Sequence, residues 1–237
     1  MATPERRCVV CSFWVHRPKD FPQAAPYLEM LRIVDGSCRR AGFEHVVLTD
    51  FDTMPRVIGA GLMTYAMGLP RNLMRAVTEA QARWLEAASS EGVDTIMVGA
   101  DCIVRRDFRD ELPAGDVAIA FMKGHKRWRL NNGFIYVPAE ARERVAPLLR
   151  RVADGCGEVM CDDMVALERA LLPMPDDYGV HERQGLQVNF VPLDKWNRYM
   201  RSVEDEASEA AVLHFMGDAF KGKPLFFAWA NRHGFAC

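Results

Sequence analysis

TIMVGADCIVRRDF, Thr95 to Phe108, runs an apolar strand (Thr95 to Val98) straight into a Gly-Ala-Asp turn. Upstream, two strand-helix units precede it. An apolar run, Cys8 to Phe13, leads to a helix predicted from near Pro22, with Tyr27, Leu31, Val34 and Cys38 at helical spacing and Gly42 as its stop. A second strand, His45 to Thr49, closes on Asp50. A Gly-rich loop (Gly59, Gly61, Gly68) then enters a helix from about Pro70 to Ser89, with Leu73, Val77, Trp84 and Ala88 as its buried stripe. Strand-helix-strand-helix-strand predicts a parallel, doubly wound sheet, in which ligands bind beyond the C-terminal strand ends. Asp50 and Asp101 both fall at such ends.

Downstream the pattern changes. Strands are predicted at Asp116 to Phe121, Gly133 to Val137, Gln187 to Pro192 and Ala211 to Phe215, with helices at Ala139 to Ala153 and Asp162 to Leu172. With 237 residues and no repeat or linker-like tract, the chain reads as a single α/β domain with a parallel half over about 1–110 and a mixed half over about 111–237, a plan that fits an α/β enzyme with a nucleotide-binding first half and an acceptor-facing second half. The formal net charge of −2 argues against a basic coat for nucleic acid. No apolar run approaches the roughly eighteen residues that span a bilayer, and no signal-peptide core is present, so a cytoplasmic protein is expected. Seven scattered cysteines fit reduced thiols. Cys8 and Cys11 sit in one strand at a spacing that puts them on opposite faces, which disfavours a redox or zinc role.

Three segments hold groups of the kind that breaking a sugar-phosphate bond would require. The leaving diphosphate needs its charge neutralised by a divalent cation or by basic side chains and backbone N–H groups. A carboxylate or amide beside the anomeric carbon supports an oxocarbenium-like transition state. Asp101 follows the strand at 95–98. VLHFMGDAFKGKP (Val212 to Pro224) puts His214 at a strand end, followed by Gly217, Lys221 and Lys223. RLNNGFIYVP (Arg129 to Pro138) places Asn131, Asn132 and Gly133 before an apolar strand.

Taken in order, Gly99-Ala100-Asp101, Asn131-Asn132-Gly133, Asp162-Asp163, Val191-Pro192-Leu193-Asp194-Lys195-Trp196-Asn197, and His214-Phe215-Met216-Gly217 with Lys223-Pro224 resemble the glycosyltransferases that include glycogenin and the lipopolysaccharide galactosyltransferases. The resemblance implies the A-type (GT-A-like, Rossmann-like) nucleotide-diphospho-sugar transferase fold, a mixed central sheet flanked by helices. It also implies a hexosyl- or pentosyltransferase that uses a nucleotide-sugar, first of all a UDP-sugar, and retains anomeric configuration. Asp101 and His214 resemble the metal ligands of that family, for manganese or magnesium. Gly217, Lys221 and Lys223 resemble its diphosphate contacts. Asn131, Asn132 and Asp162 resemble the residues at the donor sugar and reaction centre, and Asp163 stands where the family has Gln, which leaves either acid to face the anomeric carbon. Ser12 and Phe13 resemble the nucleoside-binding edge, and Arg71 and Arg75 its basic phosphate contacts. Gly99 stands where the family has the first Asp of its metal motif, which leaves open a metal-independent variant resting on Lys and Arg.

Plainer roles stand beside these. Asn131-Asn132-Gly133 also suits a hairpin turn, Asp162 a helix cap, and Arg71 with Arg75 a solvated helix face. The basic loop Lys123 to Arg129, with Trp128, suits either closure over a diphosphate or contact with a nucleic-acid acceptor such as a modified DNA base, a glycan being the other acceptor class. Two rival functions remain. One is a non-catalytic sugar-nucleotide-binding domain, motivated by Gly99. The other is a sugar nucleotidyltransferase, disfavoured because Ser12 to Arg17 holds no glycine for a phosphate loop.

Overall fold

A computed structural model describes residues 7–17, 25–125, 129–157, 159, 161–205, 209–215 and 223–235. The strands are β1 (Cys8–Phe13), β2 (Glu44–Asp50), β3 (Thr64–Met67), β4 (Asp94–Val98), β5 (Cys102–Val104), β6 (Val117–Phe121), β7 (Leu130–Val137), β8 (Gly179–Arg183), β9 (Leu186–Pro192), β10 (Arg198–Tyr199) and β11 (Val212–His214). The helices are α1 (Ala25–Arg40), α2 (Met54–Gly59), α3 (Leu73–Glu86), α4 (Arg142–Gly155), α5 (Asp162–Ala170), α6 (Leu193–Trp196) and α7 (Pro224–Arg232). Eight strands form the main sheet in the order β3-β2-β1-β4-β7-β6-β9-β8, and β10-β11-β5 form a smaller one.

β3, β2, β1 and β4 run parallel, so their C-terminal ends share one edge. β7 pairs antiparallel with both β4 and β6, which makes the sheet mixed. The strand order reverses between β1 and β4, the crevice where α/β sheets bind ligands. α2 and β3 occupy the stretch expected to be a Gly-rich loop. Pro55 in the first turn of α2 and the left-handed Gly61 (φ 79°) after it confine that short helix.

Each central strand serves two cores because its side chains alternate faces. Val10, Phe134 and Tyr136 pack with α1, β5 and α7 residues such as Ile33, Ile103 and Trp229. Val9, Cys11, Ile135 and Val137 pack on the other side with Trp84, Leu148 and Leu167 of α3, α4 and α5. Burying each such side chain contributes about 1.5–3 kcal/mol. Cys8 and Cys11 fall into opposite cores, and the six described cysteines are all free thiols. Trp84 Nε1 donates to Thr95 Oγ1 at 3.0 Å and pins α3 across β4. Among the described residues no helix is long and apolar enough to cross a membrane.

Candidate active site

Asp101 lies in the turn between β4 and β5, facing β11 and the start of α7. Its carboxylate is bracketed: Lys223 Nζ donates to Oδ2 at 2.6 Å, and His214 Nε2 lies 3.3 Å from Oδ1. Lys223 Nζ also donates to the Phe215 carbonyl at 2.8 Å, and Phe215 N donates to the Asp101 carbonyl at 3.1 Å. Lys223 is itself buried and takes a left-handed backbone (φ 54°) just before Pro224 opens α7. Burial pushes the Asp101 carboxyl up, but the His214 ring and the Lys223 ammonium outweigh it. They hold the carboxyl well below the usual aspartate range.

Behind His214 runs a buried polar relay. Asn131, Asn132 and Gly133 do not form a hairpin turn: they lie inside β7, where the register against β6 shifts between Ile119 and Ala120. Such an irregularity re-aims side chains. Gly133 N donates to Asn131 Oδ1 at 2.7 Å, and Asn197 Nδ2 donates to the same oxygen at 2.5 Å. That Asn197 nitrogen lies 3.1 Å from His214 Nδ1. Asn131 Nδ2 donates to the Tyr199 hydroxyl, and the Tyr199 ring meets the His214 ring edge-on at 5.5 Å. Gly133 leaves room for all of this. A Cβ there would stand 2.5 Å from Asn197 Nδ2, 2.6 Å from His214 Nδ1 and 2.7 Å from Asn131 Oδ1. Gly133→Ala is therefore expected to lower stability by about 1–3 kcal/mol, the usual cost of overpacking, and to disorder His214. A thermal melt matching the parent chain would contradict that geometry.

A second pair lies on the α5 side of β7. Asn132 Nδ2 donates to Asp163 Oδ2 at 2.9 Å, and burial raises the Asp163 pKa. Asp162, its neighbour, turns back: its Oδ2 accepts the Val159 N–H at 2.9 Å, so it caps the chain entering α5.

Clefts open at the ends of the parallel strands and beside Tyr199. One of about 840 Å³ opens beyond the ends of β1, β2 and β3, lined by His16, Arg17, Asp50, Phe51, Arg56 and Arg71 among others. Arg17 is ion-paired with Asp50, and burial together with Arg56 and Arg17 lowers the His16 pKa. The other, of about 420 Å³, is lined by Met122, His125, Leu193, Arg198, Tyr199 and Arg201 among others. Tyr199 thus stands between this second cleft and His214.

The other residues named from the sequence sit in different settings. Ser12 is buried and bonded to His45 Nε2 at 2.9 Å, so its hydroxyl does not face a ligand. Phe13 packs against the core. The residues open at the end of β1 are His16 and Arg17, which sequence reading passed over because they follow the strand rather than end it. Arg71 does reach the larger cleft, but Arg75 pairs with Asp154 at 2.9 Å on the α4 surface. Asn131 is interior and holds other side chains in place. Gly217 and Lys221 lie outside the described residues, as do Lys126, Arg127 and Trp128 of the basic loop. Lys123 and Arg129 of that loop pair with Asp177 (2.5 Å) and Glu168 (3.4 Å). Asn197 and Tyr199 had no assigned role, although Asn197 closes one of the quoted motifs.

Asp101, Cys102 and His214 bring three potential metal-ligand atoms within 4.8 Å of one another. A hard divalent cation asks for oxygen and imidazole-nitrogen donors with free lone pairs. Cys102 offers a soft sulfur, which suits such a cation poorly, and burial pushes its thiol well up. Lys223 already occupies one Asp101 oxygen, and His214 Nε2 lies 3.3 Å from the other. As arranged, this donor set does not fit such an ion.

No family model and no curated protein matches the chain in sequence. Solved structures match it in fold. A glycosyltransferase involved in glycosylation of the major capsid of PBCV-1 superposes with TM-score 0.60 at 10% identity, over 93% of this chain and 99% of that one. The galactosyltransferase LgtC, in complex with donor and acceptor sugar analogues, gives 0.51 at 11% identity over 94% and 95%. Mouse xyloside xylosyltransferase 1 gives 0.51 at 10% identity over 90% and 98%. The chain has the A-type glycosyltransferase fold.

Proposed function

We propose that the protein is a glycosyltransferase that moves a sugar from a nucleotide-diphosphate sugar, with a UDP-sugar as first candidate, to an acceptor hydroxyl. The observation that carries this reading is the meeting of Asp101, His214 and Lys223 beside the β1/β4 crevice of a glycosyltransferase fold. Fold alone does not fix chemistry, but this cluster joins groups from segments 122 residues apart at the expected ligand edge. The cleft beyond β1–β3 takes the nucleoside, with Arg71 turned toward the phosphates. Asp163, oriented by Asn132, supplies the carboxylate beside the anomeric carbon, where developing positive charge is stabilised. The acceptor enters by the cleft behind Tyr199. The pairing of Lys123 and Arg129 within the protein favours a glycan or other small acceptor over a nucleic-acid strand.

A thermal-shift screen of UDP-, GDP-, CDP- and dTDP-sugars, followed by measurement of sugar release and transfer, tests this. Stabilisation by one nucleotide class with turnover of its sugar is expected. Binding without any release or transfer would favour a non-catalytic sugar-nucleotide domain, and silence from all four donors would overturn the assignment.

A further inference from the structure

Three independent features converge on Asp101. The first is the hydrogen-bond sense of the relay. The Gly133 N–H identifies the Asn131 atom it meets as the oxygen, so the Asn197 atom 2.5 Å from that oxygen is the amide nitrogen. That same nitrogen faces His214 Nδ1 at 3.1 Å, so Nδ1 accepts and the ring proton sits on Nε2. His214 then donates toward Asp101 Oδ1, 3.3 Å away. The second is Lys223, whose ammonium holds Asp101 Oδ2 from a buried position and, among the described residues, donates to Asp101 and Phe215. The third is Gly99. A Cβ at that position would stand 2.5 Å from Asp101 Oδ1, so this orientation of the carboxylate requires a residue without a side chain there. Any side chain at position 99 would push the Asp101 carboxylate out of its observed orientation.

We infer that the donor site is cation-independent: Lys223 and the His214 Nε2–H neutralise Asp101, and the remaining Lys223 N–H, with Arg71, meets the donor diphosphate. The inference rests on the proposed transfer reaction for its substrate, but not for the state of Asp101. An ammonium in place of a metal ion is chemically sufficient here, because a fixed Lys charge in a buried site stabilises phosphate oxygens as a point charge. Lys223 is placed to act on the leaving diphosphate, while Asn131 and Asn197 are positioning residues acting through His214.

The test uses the full chain stripped with EDTA. Imidazole ¹⁵N spectra, with His214 assigned by comparison with His214→Gln, are expected to show a protonated Nε2 that excess Mn²⁺ leaves unbroadened. An unprotonated Nε2, or selective loss of the His214 signal on adding Mn²⁺, would overturn the inference. In parallel, the thermal shift given by UDP-glucose and by UDP is expected to be the same in EDTA and in Mn²⁺. A shift that Mn²⁺ enlarges would overturn cation independence while supporting sugar-nucleotide binding. Should no nucleotide stabilise the chain, the proposed reaction falls, and the His214 spectra still decide the state of Asp101.

Discussion

Asp101→Ala is expected to lose both transfer and about 3 kcal/mol of stability. The stability loss comes from Lys223, whose ammonium would stay buried beside α7 with no carboxylate to meet it. Asp101→Ala combined with Lys223→Met removes the stranded charge, so the double variant should recover much of the stability and none of the activity. Urea melts of the three variants alongside the parent would reveal this non-additivity. Strictly additive losses would mean that the pair does not interact as described. The same pair predicts a pH response. The Asp101 pKa is depressed in the folded chain, so its contribution is fully present above the ordinary aspartate value of about 4. That contribution is lost as pH falls toward the folded pKa, and the acid side of the parent's stability profile should be steeper than that of the double variant.

Asp163→Ala is expected to cut kcat by about 10²–10³-fold while nucleotide affinity changes little, the signature of a group acting on charge that develops in the transition state. Asp163 has the opposite electrostatic situation from Asp101. Burial raises its pKa, and the Asn132 amide only partly offsets this. Its ionised form is the useful one, so kcat should rise with pH through that raised value. Stability moves the other way: a raised folded pKa favours the protonated carboxyl, and its contribution declines as pH climbs through it. If Asp163→Ala instead weakened nucleotide binding and left kcat alone, Asp163 would belong to the donor's binding surface and not to the reaction centre.

Much of the parallel half was legible because apolar runs, glycine stops and strand-end acids are local signals. Cys8–Phe13 and the strand ending at Val98 need no distant partner to be recognised. β3 and α2 were hidden because Gly59, Gly61 and Gly68 punctuate a stretch whose order comes from pairing with β2. Asp101, His214 and Lys223 could be named from their motifs, but not their mutual arrangement. That Arg75 pairs with Asp154, or that Asn197 reaches both Asn131 and His214, depends on contacts between remote segments. Asn131 and Asn132 illustrate the limit most sharply. Adjacent identical residues took opposite tasks, one inside the relay and one on Asp163, because successive side chains leave a strand on opposite faces.

That alternation in β7 also dictates what the gene can tolerate. Phe134 and Tyr136 belong to one core, Ile135 and Val137 to the other. Losing the single codon for Ile135, beyond the irregularity, would turn Tyr136 and Val137 onto each other's faces and force an aromatic ring among the aliphatic residues of α4. Point changes in this segment trade in increments of stability, whereas a one-residue frame slip would disrupt both layers at once. Length variation in descendants of this chain should therefore collect in the loops and leave this strand untouched.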